Sequence, residues 1–152
     1  MKNKIAIIIL IIISTSCKRE VESNDVNNFE WIEYKSKDSI PKQIRNLLKA
    51  LNGNEKIAGF NEDYEATDNI TDTLLPTKQL KLIANSNENW RLVYVQGGIG
   101  SSYCLIQCKI KNDTLYEPRI AYTLLPINDN DSISKFLKTN RLKFQNIKTK
   151  NN

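Results

Sequence analysis

The feature that most constrains the fold is a series of four strand-like segments in the second half of the chain. They span residues 79–84, 90–95, 103–110 and 114–122. Each is rich in apolar, β-branched or aromatic residues and is bounded by Asn, Asp, Gly or Ser, which is the pattern of strands separated by turns. Short connections join antiparallel neighbours, because parallel strands need a crossover of a dozen or more residues. The sequence therefore predicts an antiparallel β-meander. Pro118 lacks an amide hydrogen, which predicts an edge or a bulge at that point.

A helix is predicted before this sheet, from about Ser39 to Leu51. Apolar residues recur there at the spacing of one helical face, and polar residues take the opposite face. The predicted N-cap is Asp38 or Ser39, and Asn52-Gly53 is the expected C-terminal stop. The apolar positions are Ile40, Ile44, Leu47, Leu48 and Leu51.

A second, shorter helix is predicted after the sheet. It begins near Asp131, capped by that residue or by Asn130, and directs Ile133, Phe136 and Leu137 inward. One covered sheet face and two helices predict a single α+β domain, in which the antiparallel β-meander is packed by one long N-terminal helix and a short C-terminal helix.

Three further segments carry weaker strand signals. Residues Phe29 to Tyr34 are rich in aromatic and β-branched side chains and predict a first strand. A short apolar run from Lys56 to Phe60 predicts another, and Arg141 to Phe144 predicts a last strand.

The first seventeen residues constrain location rather than fold. Lys2 and Lys4 precede an unbroken apolar run over residues 5–13, and the small polar residues Ser14-Thr15-Ser16 and then Cys17 follow it. This is the layout of an export signal. A bilayer-spanning helix needs roughly 20 apolar residues, so a permanent transmembrane anchor is the weaker interpretation.

Ser14-Thr15-Ser16-Cys17 resembles the lipobox of bacterial lipoproteins, in which the signal is cut just before a cysteine that becomes lipidated. A lipobox usually has Leu three positions before the cysteine, and Ser14 stands there in this chain. The resemblance implies a lipid on Cys17 and an anchored position in the bacterial cell envelope, at the outer membrane. Ordinary secretion with cleavage before Cys17 remains the alternative.

The predicted organisation has four parts. Residues 1–16 form the signal peptide, 17–28 a polar tether, 29–147 the α+β domain and 148–152 a polar tail.

Composition excludes several classes of function. The chain is 40% hydrophobic and 26% charged, which is typical of a soluble globular domain. Its net charge of +5 falls when Lys2 and Lys4 leave with the signal, and this is too little to predict nucleic-acid binding. Histidine is absent, which removes Ser-His and Cys-His catalysis and histidine-ligated zinc. We predict no cofactor and no metal.

Cys104 and Cys108 are predicted to be unpaired core residues. On a strand they share a face with Ile106 and Ile110, because side chains repeat every two residues. Four residues of strand span about 13 Å, whereas a disulfide needs Cα atoms within about 7 Å. These two cysteines therefore cannot bond one another there.

The candidate contact loop lies between the second and third strands of the predicted meander. It consists of Gly97, Gly98, Ile99, Gly100, Ser101 and Ser102. A phosphate-binding motif needs a helix immediately afterwards, and here a strand follows. One interpretation is a turn that needs glycine for positive φ. The other is a contact for a ligand or partner, because function concentrates on loops held by a rigid sheet.

Carboxylates give two weaker hypotheses. Residues 61–73 include five acidic residues without the glycine and spacing of a calcium loop, so they predict a solvated loop or a weak cation site. Asp63 with Glu65 and Asp129 with Asp131 are close in sequence, but both pairs lie in polar stretches where solvated side chains are expected. General acid catalysis needs a desolvating pocket instead.

These observations predict a small membrane-tethered lipoprotein that acts as a non-catalytic binding or interaction module for a protein partner. The alternatives are a carrier of a small ligand and an envelope enzyme that works with carboxylates.

Overall fold

The computed structural model describes residues 30–53, 56–67 and 74–148. The predicted signal peptide, Cys17, the tether, Phe29 and residues 149–152 of the tail lie outside the described residues. The described elements, in chain order, are β1 (Ile32–Tyr34), a short 3-10 helix (Lys37–Ser39), α1 (Lys42–Asn52), β2 (Lys78–Ser86), β3 (Asn89–Gln96), β4 (Ser102–Lys111), β5 (Thr114–Thr123), α2 (Asn130–Lys138) and β6 (Gln145–Asn146). None of the helices in these ranges is long and apolar enough to cross a membrane.

The six strands form one antiparallel sheet in the order β1-β2-β3-β4-β5-β6. Every strand pairs with its neighbours in sequence, so the predicted meander is confirmed for all four of its segments. With two helices packed on it, the sheet belongs to the α+β class. We call the end that holds the β2–β3 and β4–β5 turns the hairpin end, and the opposite end, where the β3–β4 loop lies, the loop end.

Both faces of the sheet are buried, so the expectation of one covered face is wrong. The α1 face of the sheet contributes Leu80, Ile83, Leu92, Tyr94, Cys104, Ile106, Cys108 and Ile120 to the core. The α2 face contributes Leu82, Ala84, Val93, Leu105 and Ala121. Neighbouring residues such as Leu92 and Val93 alternate between the two cores, as side chains of a strand must. Leu80 and Leu82 depart from this alternation because the pairing of β2 with β3 shifts between them.

Helix α1 starts later than the sequence predicted. Asp38 and Ser39 lie in the 3-10 helix, and the N-cap of α1 is Pro41, without a side-chain capping bond. The residue before a proline avoids helical backbone, and Ile40 is accordingly extended at ψ 119°. Gly53 ends the helix with φ 64°, which confirms the predicted stop.

Of the five positions predicted for the apolar face, Ile44, Leu47 and Leu48 lie in α1 and are buried. Ile40 is buried as well but precedes the helix, and Leu51 is 38% exposed. The description of α1 as a long helix is not confirmed, because it has 11 residues.

Helix α2 is capped by Asp129, not by Asn130 or Asp131. The Asp129 Oδ1 atom accepts a hydrogen bond from the Ser132 amide at 2.7 Å. Asn130 cannot cap because its side chain is bonded to Glu33 and Arg91. The apolar face is as predicted: Ile133 and Phe136 are buried, and Leu137 packs beside them.

The weaker strand predictions are partly wrong. Strand β1 is confirmed over Ile32–Tyr34 only. The run from Lys56 to Phe60 makes a single parallel bridge, between Ala58 and Gln79. The last strand is Gln145–Asn146 rather than 141–144, because Leu142 and Phe144 pack into the α2 core.

Pro118 lies at a bulge in β5, as predicted. The pairing of β4 with β5 shifts between Gln107 and Lys109, and Glu117 takes a φ of 49° there. The Pro118 carbonyl accepts the Ile147 amide at 2.8 Å, beside the two residues of β6.

Cys104 and Cys108 are free and buried, as predicted. Both belong to the α1 core with Ile106, and Ile110 packs against it.

Candidate functional site

The candidate contact loop lies at the loop end of the sheet. Gln96 closes β3 opposite Ser102, which opens β4, so Gly97 to Ser101 form the connection. The last residue of β5, Thr123, pairs with Tyr103, and the first residue of β2, Lys78, pairs with Gln96. The loop is therefore flanked by the segment that enters β2 and by the segment that leaves β5.

The loop is fastened to its neighbours through its first two residues. The Gly97 amide donates to the Thr77 carbonyl at 2.9 Å, and the Gly98 amide donates to the Ala66 carbonyl at 3.3 Å. A Cβ atom at Gly97 would lie 2.4 Å from the Glu65 carbonyl oxygen, so only glycine fits.

Gly98 and Gly100 allow a backbone with positive φ, as the turn interpretation predicted. Gly98 and Gly100 have φ of 137° and 84°, and nothing lies within 4 Å of a Cβ built on either. Between them, the loop places Ile99 at its tip, where the side chain is 93% exposed. The loop therefore has a base fixed by hydrogen bonds and an exposed apolar tip.

Further large apolar side chains are exposed at the same end. We call the loop-end apolar set Ile99, Tyr122 and Leu124. Leu124 directly follows β5 and is 77% exposed. Exposed apolar side chains gathered at one end of a domain mark interaction sites more often than scattered ones do.

The predicted carboxylate chemistry finds less support. Glu65 is buried, with its Oε1 accepting the Thr67 hydroxyl at 3.0 Å, so its expected solvation is wrong. Asp129 is engaged as a helix cap and does not pair with Asp131. Residues 68–73 of the acidic segment lie outside the described residues. In the described ranges no three His, Cys, Asp or Glu side chains group as metal ligands would.

Sequence reasoning missed a row of polar side chains that crosses the α2 face. Arg91 and Arg119 both pair with Gln107, from β3 and β5 respectively. The Arg119 Nε and Nη2 atoms donate to Gln107 Oε1 at 3.2 and 2.9 Å. Arg91 Nη1 donates to Asn130 Oδ1 at 3.1 Å, and Asn130 Nδ2 in turn donates to Glu33 Oε1 at 3.0 Å. The sequence feature that could have revealed this row is the charge of Arg91 and Arg119 within largely apolar strand segments.

Each arginine of this row also lies over an aromatic ring. The Arg91 guanidinium carbon is 3.9 Å from the centre of the Trp31 ring, and that of Arg119 is 4.5 Å from the centre of the Phe144 ring. Cation–π contacts of this kind contribute about 2 kcal/mol when desolvated. The row thus positions two guanidinium groups on the α2 face of the sheet, nearer its hairpin end than its loop end.

Comparison of the chain with protein-family models, with curated proteins and with solved structures finds no match.

Proposed function

We propose that this chain is a lipid-anchored lipoprotein of the bacterial envelope whose non-catalytic domain binds a protein partner through its loop end. The proposal rests on the exposure of the loop-end apolar set, and of the Ile99 side chain in particular. A side chain of this size gains about 1.5–3 kcal/mol when it passes from water into an apolar contact. The set therefore offers a partner substantial binding energy without any catalytic group.

The position at which the chain enters the sheet supports this role. Ile32, the first residue of β1, pairs with Asn85 next to the β2–β3 turn. The segment that leads from Cys17 therefore joins the domain at the hairpin end, opposite the apolar set. Eleven residues between Cys17 and Phe29 span at most roughly 35 Å. An anchor attached there leaves the loop end free to meet a partner.

The partner we propose is a separate protein with an apolar surface. Site-specific photocrosslinking in cells of the native host tests this, with the crosslinker at Ser101 and a control crosslinker at Lys111. Both positions are exposed, the first at the loop end and the second at the hairpin end. We expect one protein to be captured in stoichiometric yield from position 101 and not from position 111. Equal capture from both positions, or capture of a second copy of this chain alone, would contradict the proposal.

The contribution of Ile99 is measured in the same cells. Ile99→Ser is expected to weaken binding of the partner by about 10-fold or more, since 1.4 kcal/mol corresponds to tenfold in affinity, and thereby to lower the crosslinking yield at position 101. The matched control is Ile32→Ser, which changes an equally large side chain that is 58% exposed at the hairpin end. Equal losses in both variants would refute a specific role for the loop end.

The proposed anchor has its own test. Metabolic labelling with palmitate compares the native chain with Cys17→Ala. We expect the label to disappear in the variant, because a thiol at the cleavage site is the proposed acceptor. Equal labelling of both proteins would end the assignment of a lipid to Cys17, and absence of label from both would leave ordinary secretion.

A further inference from the structure

The polar row on the α2 face holds two positive charges, on Arg91 and Arg119, and one negative charge, on Glu33, which forms no ion pair with either arginine. Arg91 and Arg119 share Gln107 as their neighbour on β4. Ion pairs among the described residues include Lys35 with Glu33, Lys109 with Glu117 and Lys111 with Glu88, and neither arginine takes part in these. The nearest carboxylate in the row, Glu33, reaches Arg91 only through Asn130.

The surroundings of Arg91 add to this imbalance. Its side chain is buried, with 8% of the residue exposed. Burial, and to a smaller extent the charge of Arg119, lower the pKa of Arg91 to about 10. Helix α2 also begins beside it, at Asn130, and the first turn of a helix carries a partial positive charge. A buried charge is unfavourable unless a partner of opposite sign compensates it.

The hydrogen bonds of Arg91 leave one edge of its guanidinium unused. Nη1 donates to Asn130, and the flat face lies on Trp31. Nε is buried and has no hydrogen-bond partner. Nε and Nη2 together form the edge that donates two parallel hydrogen bonds to a carboxylate or a phosphate.

We propose that Arg91 and Arg119 form a binding site for a small oxyanion, a carboxylate or a phosphate group, on the α2 face of the sheet. The oxyanion accepts hydrogen bonds from Nε and Nη2 of Arg91, while Arg119 supplies the second positive charge. Gln107 and Asn130 hold the two guanidinium groups in place. This site is separate from the loop end, so it is independent of the proposed protein contact.

The test follows the Arg91 Nε–H resonance of the ¹⁵N-labelled full-length protein by NMR during titration with inorganic phosphate, with acetate and with sodium chloride. All three titrations are held at the same ionic strength. We expect saturable shifts of the Arg91 and Trp31 resonances with phosphate or acetate, with a dissociation constant on the order of 1 mM. The oxyanion that binds more tightly identifies the ligand as a phosphate or a carboxylate. Shifts that chloride reproduces would show an adventitious ion only and overturn the proposal.

Two variants separate the site from general charge effects. Arg91→Lys retains the charge but loses the two-donor edge, so we expect affinity to fall by about 10-fold or more. Arg141→Lys is the matched control, because Arg141 is exposed and lies outside the row. Unchanged affinity in Arg91→Lys, or an equal loss in the control, would refute the site. Should Arg91→Lys fail to fold, Arg119→Lys tests the second charge, and the titration of the native protein decides by itself.

Discussion

Replacing Gly97 by alanine tests whether the base of the contact loop is fixed by steric contact. The added Cβ would lie 2.4 Å from the Glu65 carbonyl oxygen and 2.8 Å from two backbone atoms of Ala66. Backbone cannot rotate away as a side chain can, so the two segments must separate. That movement strains the amide bonds from Gly97 to Thr77 and from Gly98 to Ala66.

The cost follows from these contacts. Each of the two backbone hydrogen bonds contributes about 1 kcal/mol net, and overpacking costs about 1–3 kcal/mol. We therefore expect Gly97→Ala to lower the free energy of unfolding by about 2–4 kcal/mol. The assay is urea unfolding followed by tryptophan fluorescence, in which the midpoint falls while the slope stays constant.

The matched control for this prediction is Gly100→Ala. Nothing lies within 4 Å of a Cβ at Gly100, but its φ of 84° is unfavourable for alanine. The expected loss there is about 1 kcal/mol, from backbone strain alone. If Gly97→Ala costs no more than Gly100→Ala, the packing of the loop against residues 65–66 is refuted.

Two further predictions concern single side chains. Burial raises the pKa of Cys104 and of Cys108 to about 12, so neither thiol forms appreciable thiolate at pH 8, and we expect iodoacetamide to modify them only after unfolding in urea. Rapid modification of the native protein would contradict their burial. The hydrogen bond from Ser132 lowers the pKa of Asp129 below its usual value, so its ionised form stabilises the fold. Asp129→Ala is therefore expected to cost about 1 kcal/mol at pH 7 in urea unfolding. Because the folded-state pKa is the lower one, this difference is fully present above the unfolded pKa of about 4 and is lost as the pH falls through the folded-state pKa. A difference that does not shrink on acidification would refute the contribution of the ionised cap.

The meander could be predicted because its signals are local. Strands β2 to β5 are each rich in apolar, β-branched or aromatic residues, and turns such as Asn112-Asp113 carry residues that accept positive φ. Helix boundaries were less predictable because they depend on residues outside the helix, both adjacent in sequence and in tertiary contact. Pro41 delayed the start of α1, and Asn130 was unavailable as a cap because two distant side chains bind it.

Of the two candidate sites, only the glycine-rich loop could be predicted, because its signal is local in the sequence. The glycines at 97–100 indicated an unusual backbone conformation. In the structure, Gly97 is required by close packing, whereas Gly98 and Gly100 have positive φ. The arginine row depends on pairing across three strands, from Arg91 through Gln107 to Arg119. The pairing of β2 with β3 likewise shifts between Leu80 and Leu82, so that these two residues lie in different cores. A one-residue irregularity of this kind changes which face the following side chains take, and a pattern of alternation alone does not locate it.

The bulge at Pro118 has a consequence for the protein at high concentration. A sheet grows sideways when the outer strand of one molecule offers an unbroken ladder of donors and acceptors to the next. Here the outer side of β5 carries a proline, which can donate nothing, beside a left-handed residue at Glu117, and β6 covers the stretch next to them. These features oppose lateral polymerisation through this edge, which favours a molecule that stays dispersed where many copies are crowded together.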